Sequence, residues 1–278
     1  MRLTNEIIKE FKEYLINNDK SSYTIEKYIR DVFKFKDFAG SVEITKETAG
    51  EYKNHLIRSG YSVRSINSML SSVNALFEFL DRNDFKVKTI KMQRSVYCPE
   101  DKELTRAEYQ KLCSAAKMKK NNRLELIIET VCSTGIRIGE LKYITVESVK
   151  RGESVVTLKG KTRYVFIPKE LKRKLLRYAS EHGIKEGMIF VTRTGKAVNR
   201  TNVWRDMKNL CKDAGVKPEK VFPHNLRHLF ARTFYNIDKD IAKLADILGH
   251  SSIDTTRIYI ISTGAEHRRL IEKMKLIL

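Results

Sequence analysis

At 278 residues, of which 41% are hydrophobic, the chain is long enough for two domains with real cores and does not have the composition of a disordered protein. No stretch approaches the roughly 18 uninterrupted apolar residues of a membrane-crossing helix, and Met1 to Glu13 mixes acids and lysines without a signal-peptide apolar core, so no membrane partner and a cytoplasmic location are expected. A formal net charge of +20 with a pI near 9.7 repels itself unless a polyanion neutralises it, which points to nucleic acid.

The first 80 residues predict four helices. Ile7, Ile8, Phe11 and Leu15 mark one apolar stripe at helical spacing, and Ile25, Tyr28, Ile29 and Val32 mark a second. Thr45 is placed to cap a third helix, running to about Arg58 and stopped by Gly60. Ser62 opens a fourth, with Ile66, Met69, Leu70, Val73, Leu76, Phe77 and Leu80 on one side. Aromatics such as Tyr28 and Phe35 belong to the core on this pattern rather than to a base-stacking surface.

From about residue 82 to 103 the helical pattern lapses into a charged stretch containing Pro99. This is expected to be a linker between a first domain over 1–81 and a second over 104–278. Thr105-Arg106-Ala107-Glu108 is a capping box that opens the second domain. Its helix runs to about Lys117, and another from Arg123 to Ser133 has Leu124, Ile127, Ile128 and Val131 apolar. Alternating segments at Ser154–Leu158 and Tyr164–Ile167 flank Lys159-Gly160-Lys161-Thr162-Arg163 and predict a β-hairpin ended by Pro168. A short strand at Met188–Val191 and a turn at Thr194-Gly195 follow. Helices are then predicted at about 199–213, 223–236, 239–248, 254–260 and 265–277.

The expected fold class is therefore mainly α with a small antiparallel β-sheet. The charge is uneven along it: residues 1–98 carry 17 Lys and Arg against 13 Asp and Glu, and residues 99–278 carry 37 against 21. Cys98, Cys113, Cys132 and Cys211 form no C-x-x-C pair and no zinc-ligand spacing, so reduced thiols are expected, with Cys132 in the core.

Four stretches in the second domain carry chemistry. They are Thr134-Gly135-Ile136-Arg137-Ile138-Gly139-Glu140, the hairpin with Lys159, His224-Asn225-Leu226-Arg227-His228 after Pro223, and Leu248-Gly249-His250 with Tyr259 nine residues on. Taken singly none is diagnostic. A turn arginine usually pairs with a surface carboxylate, hairpin lysines are usually solvated, and one tyrosine of 12 is usually structural.

Their order and spacing change this. The sequence resembles the tyrosine recombinases, the family of phage integrases and Xer-type resolvases, over essentially its whole length. The family's T-G-x-R-x-x-E box stands as Thr134 to Glu140, its H-x-x-R box as His224 to Arg227, and its L-G-H box with the following tyrosine as Leu248 to Tyr259. One departure concerns the hairpin: the family commonly reads K-G-x-K-x-R, and this chain reads K-G-K-T-R, one residue shorter. Lys159 matches the family's lysine by its K-G pair, with Lys161 as the alternative.

The resemblance implies a four-helix SAM-like core-binding domain followed by an α+β catalytic domain, acting on double-stranded DNA without a metal or other cofactor. It implies catalysis by Arg137, Lys159, His224, Arg227, His250 and Tyr259, with Glu140 in support. Two guanidiniums suit the non-bridging oxygens of a phosphodiester, because they offer directed donors and positive charge to the pentacoordinate transition state. A tyrosine, with an ordinary pKa of about 10, is a weak nucleophile at neutral pH and needs a base, for which His224 is placed. Lys159 would protonate the leaving 5′-oxygen. The product is a 3′-phosphotyrosine, whose covalent bond lets religation proceed without ATP.

The family further implies DNA clamped between the two domains, four subunits on two sites and a Holliday junction, in integration, excision, inversion or dimer resolution, with an accessory directionality factor as a further partner and the nucleoid as the place of action. The chain begins directly at the core-binding helices, which suggests a Xer-like or invertase-like system. A type IB topoisomerase shares the catalytic set but acts as a monomer; the chain's size and its L-G-H box favour recombination. A DNA-binding regulator with a decayed site is disfavoured because all six residues are present. After Gly264 a final helix is predicted, with Leu270, Ile271, Met274, Ile277 and Leu278 on one face; the resemblance implies that it docks into a neighbouring subunit, the alternative being that it packs on its own domain.

Overall fold

Thr4, Ser21, Thr45 and Ser62 each stand one residue before a helix, and each hydroxyl accepts the backbone N–H three residues on, at 3.2–3.4 Å. This satisfies a donor that the first helical turn leaves unpaired, so the helices begin where those side chains stand. The computed structural model describes residues 2–91, 103–158, 161–260 and 271–274, in two units, 1–94 and 95–278.

The first unit holds α1 (Asn5–Asn17), α2 (Ser22–Ala39), α3 (Lys46–Arg58) and α4 (Val63–Phe79). Their apolar stripes converge on Phe11, Phe35, Leu76 and Phe77, all fully buried, with Tyr28 partly buried against them. The described part of the expected linker lies along α4. Phe85 is buried there, and Asn67 and Asn74, two turns apart, each exchange a pair of hydrogen bonds with the backbone, at Ile90 and Val87.

The second unit opens at Thr105, whose reciprocal bonds with Glu108 form the capping box of α5 (Arg106–Met118). Helix α6 (Asn122–Thr134) is its centre. Leu124, Leu126, Ile127, Ile128, Thr130 and Val131 are buried around its circumference, as a helix covered on all sides requires. It packs against α5, α8 (Lys169–Glu181), α9 (Arg200–Ala214) and α10 (Pro223–Ile237). The short α7 (Val146–Arg151), α11 (Ile241–Leu248) and α12 (Ile253–Ile260) complete the described helices of this unit, apart from short 3-10 turns. The sequence reading left α7 and α8 unassigned. Among the described residues no helix is long and apolar enough to cross a membrane.

Strands β1 (Glu153–Leu158) and β2 (Lys161–Phe166) pair antiparallel from Glu153↔Phe166 to Leu158↔Lys161. The second strand thus starts three residues earlier than predicted. Lys161, Thr162 and Arg163 belong to it, and only Lys159 and Gly160, outside the described residues, separate the strands. The alternation concealed this because Arg163 shares the inner face with Val156 and Val165, where a charge is not expected. The predicted strand at Met188–Val191 is also corrected: it makes only isolated bridges, Thr145↔Met188 and Val191↔Ala197. Ile189 and Phe190 are both buried, so the segment does not alternate. The predicted final helix lies outside the described residues except at Ile271–Met274.

Candidate active site

The buried helix α6 ends at Gly135, whose left-handed φ of +65° turns the chain. A Cβ there would lie 2.6 Å from the Phe230 ring and 3.0 Å from Leu248, so glycine permits a close approach to α10 and α11 as well as the turn. Two residues on, Arg137 begins a 3-10 turn (Ile138–Tyr143). Its Nη1 donates to Glu140 Oε1 and its backbone N–H to Oε2, both at 2.9 Å. Glu140 is buried while the Arg137 side chain is 40% exposed, facing outward from a rigid base. Burial pushes the Glu140 carboxyl up, but the Arg137 backbone bond and the charges of Arg163 and Arg137 outweigh it and hold the group below the usual range.

Pro223 occupies the first turn of α10, where its missing N–H costs nothing, and places His224 and Arg227 three apart on one face. Arg227 is 1% exposed. Its guanidinium donates to the carbonyl of Gly135 and, through Nη2, to that of Leu248 at 2.6 Å, tying α10 to the ends of α6 and α11. Its Nε is buried without a partner. Burial first, then the charge of Arg137, lowers this guanidinium to about 10.

Gly249 ends α11 in the left-handed conformation, and His250 follows with its N–H on Ala245 at 2.9 Å. Arg227 Nη2 lies 3.0 Å from His250 Nε2, and His250 Nδ1 lies 2.8 Å from the hydroxyl of the buried Thr256. A guanidinium only donates, so Nε2 accepts, and the ring proton sits on Nδ1 facing Thr256. Tyr259, 5% exposed, packs with Ala231, Leu244 and Leu248. Its hydroxyl is 3.3 Å from His224 Nε2, and its ring stacks on His250 at 5.2 Å.

The structure therefore gathers His224, Arg227, His250 and Tyr259 into one contact network. Arg137 is close enough for its charge to depress His224, Arg227 and His250. Lys159 and the side chain of Lys161 lie outside the described residues. Three further residues join the cluster that the sequence reading did not single out: Thr256, Arg163, and His228, whose ring is 4.3 Å from that of Tyr259. His228 had a legible signal, standing one helical turn after His224. A cleft of about 880 Å3 opens between β2 and the end of α11, lined by Arg137, Glu140, Tyr164, Phe166, His250 and Ser251. Among the described residues, no group of three His, Cys, Asp or Glu is spaced to hold a metal.

Comparison with known proteins supplies the family. The phage integrase family model matches residues 102–266, and the phage integrase N-terminal SAM-like domain matches residues 8–84. The chain is 32% identical to tyrosine recombinase XerA of Thermococcus kodakarensis, over 98% of this chain and 96% of that protein. The crystal structure of XerA recombinase aligns with a TM-score of 0.55 at 27% identity, covering 99% of this chain and all of that one. A lambda integrase(75–356) dimer bound to a COC′ core site aligns with a TM-score of 0.76 at 19% identity, over 95% of this chain and 97% of that one, and so shares the fold. A site-specific enzyme that breaks and rejoins DNA is what these relations and the arginine–histidine–tyrosine cluster describe together, and the chain belongs to the phage integrase family of tyrosine recombinases.

Proposed function

We propose that Tyr259 is the nucleophile of this recombinase. Its hydroxyl attacks the scissile phosphorus while His224 Nε2 takes the phenolic proton, and the departing 5′-oxygen is protonated by Lys159. Attack leaves a 3′-phosphotyrosine, and the reverse step, with a 5′-hydroxyl from another strand, joins the recombinant. Arg137 and Arg227 hold the non-bridging oxygens, and His250 becomes a third donor through Nε2 when Arg227 turns to the phosphate and the ring proton shifts from Nδ1 to Nε2, with the Thr256 hydroxyl then donating to Nδ1. The observation that carries the reading is the 3.3 Å contact between Tyr259 and His224 beside a buried guanidinium with a free Nε. Glu140 orients Arg137.

Double-stranded DNA is the partner, and four subunits on two sites, joined through a Holliday junction, are the assembly this chemistry requires for exchange. A directionality factor would choose between forward and reverse reactions. The substrate for testing is a nicked duplex recovered by binding selection from random-sequence DNA. On it, Tyr259→Phe is expected to bind as the unmodified chain does and to form no covalent adduct; an adduct formed by that variant refutes the assignment. With arginines supplying the electrophilic stabilisation, saturating EDTA should leave cleavage intact, and a strict divalent-metal requirement would contradict the mechanism. A 5′-bridging sulfur leaves without a proton, so it should rescue Lys159→Ala. Rescue of Lys161→Ala in its place would move the acid to Lys161.

A further inference from the structure

Arg163 is an inward-facing charge of β2, and it joins two of the motif segments. Its Nη2 donates to Glu140 Oε2 at 2.6 Å and its Nη1 to the carbonyl of Ile247 at 2.7 Å, three residues before His250. Its side chain is 10% exposed, and its Nε is buried without a partner. The fit is close, since a Cβ on Gly249 would lie 2.2 Å from Arg163 Cδ. Burial pulls the guanidinium down and the Glu140 charge opposes it.

The consequence lies in how Glu140 spends its two oxygens. A buried carboxylate draws in every donor within reach, because a buried charge left undercompensated is strongly destabilising. Oε2 is occupied by Arg163 and by the Arg137 backbone N–H, which leaves Oε1 for Arg137 Nη1. Glu140 therefore holds the Arg137 guanidinium at one point. Among the described residues the Nε and Nη2 of Arg137 have no acceptor, and its side chain faces solvent. Without Arg163, the carboxylate would be free to take Arg137 in the two-point fork that arginine and carboxylate favour, which turns the guanidinium away from a phosphate.

We propose that Arg163 is a positioning residue of the recombination reaction: bound to Glu140 and anchored on the Ile247 carbonyl, it keeps Arg137 available to the scissile phosphate. This rests on the assignment of Arg137 to that phosphate.

The test compares Arg163→Gln and Arg163→Lys in the unmodified and Arg137→Ala backgrounds. Single-turnover cleavage of the selected nicked duplex, duplex binding and thermal unfolding are measured for each. Arg163→Gln should slow cleavage by on the order of 100-fold, as a misplaced charge does, while DNA binding stays the same. In the Arg137→Ala background the same substitution should slow cleavage no further than about twofold, because both changes remove one interaction. A methylphosphonate at the scissile position carries no charge for Arg137 to neutralise, so it should recover Arg163→Gln and Arg137→Ala alike. Arg163→Lys keeps the buried charge but cannot bridge both acceptors; it should fold and bind DNA yet remain slow, and it decides the matter if Arg163→Gln does not fold. Multiplicative losses in the double variant, or cleavage at the unmodified rate by Arg163→Lys, would overturn the proposal. Cleavage at the unmodified rate by Arg137→Ala alone would instead overturn the role given to Arg137.

Discussion

Three histidines crowd the Tyr259 ring, and all three are held below the ordinary imidazole range. Burial is the first cause at each, followed by Arg227 at His224 and His250 and by His224 at His228. His228 and His250 fall to about 4. Such a site keeps neutral imidazoles beside fixed guanidiniums, which suits a base that must accept a phenolic proton. It also links stability to pH. In the unfolded chain these two groups titrate near 6.5. Above that pH both states hold them neutral and their contribution is fully present. As pH falls from about 6.5 towards 4, the unfolded chain takes up protons that the folded one refuses, and stability is lost. Thermal unfolding of the whole chain should therefore move to lower temperature across that window. His228→Gln should flatten the slope; an unchanged slope would show that His228 is not held neutral by the fold. At Gly249, alanine should cost about 1–2 kcal/mol for the left-handed backbone alone, and displacing Arg163 should slow cleavage as well. Chemical denaturation and single-turnover assays read the two effects separately.

Among the elements, α6, α10 and α11 were legible because each couples an apolar period to a clear stop or start: Gly135, Pro223 and Gly249. Helix α8 was not. Its apolar positions Leu171, Leu175, Tyr178 and Ala179 follow a helical period, but a dense run of Lys and Arg lies between them and no side-chain cap marks its start, and the sequence reading leaves the segment unassigned. Leu175 is fully buried, so Leu175→Ala should destabilise the protein by about 2–5 kcal/mol. Arg173→Ala on the same helix should change it by under about 1 kcal/mol, because Arg173 and Glu170 pair in solvent. Equal effects in denaturant titrations would place α8 outside the core. The site shows the same division. Arg137, His224, Arg227, His250 and Tyr259 could be named from spacing within short boxes. Arg163 ends the K-G-K-T-R hairpin motif, but its role was not legible there, because its partner Glu140 lies 23 residues away and its other acceptor 84 away. A periodicity reading also expects an inward strand position to be apolar. The hidden partner was the reason for both the misplaced strand start and the missed residue.

Over the whole molecule, the basic excess lies in the part of the chain that holds the site, with 37 Lys and Arg against 21 Asp and Glu over residues 99–278. DNA binding should weaken steeply with salt, each neutralised phosphate adding about 0.9 to the log–log slope, and a salt-independent affinity would be incompatible with phosphate contacts. The proposed assembly can be tested at the end of the chain. Ile271 and Met274, three apart in the short described stretch there, are 67% and 58% exposed among the described residues. Leu270, Ile277 and Leu278, which the helical spacing adds to the same face, lie outside the described residues. Burying such side chains is worth roughly 1.5–3 kcal/mol each, too little to hold free subunits together but enough to couple subunits already gathered on one DNA. Truncation after Ser262 removes this face and leaves Tyr259 and its neighbours in place. The shortened chain should fold, bind a single site with unchanged affinity and form the phosphotyrosine adduct, yet fail to pair two sites or yield recombinants. Calorimetry, gel shifts with one and two sites, and a recombination assay distinguish the outcomes. Unfolding of the truncated chain would assign the helix to its own core, and full recombination would deny it any part in assembly.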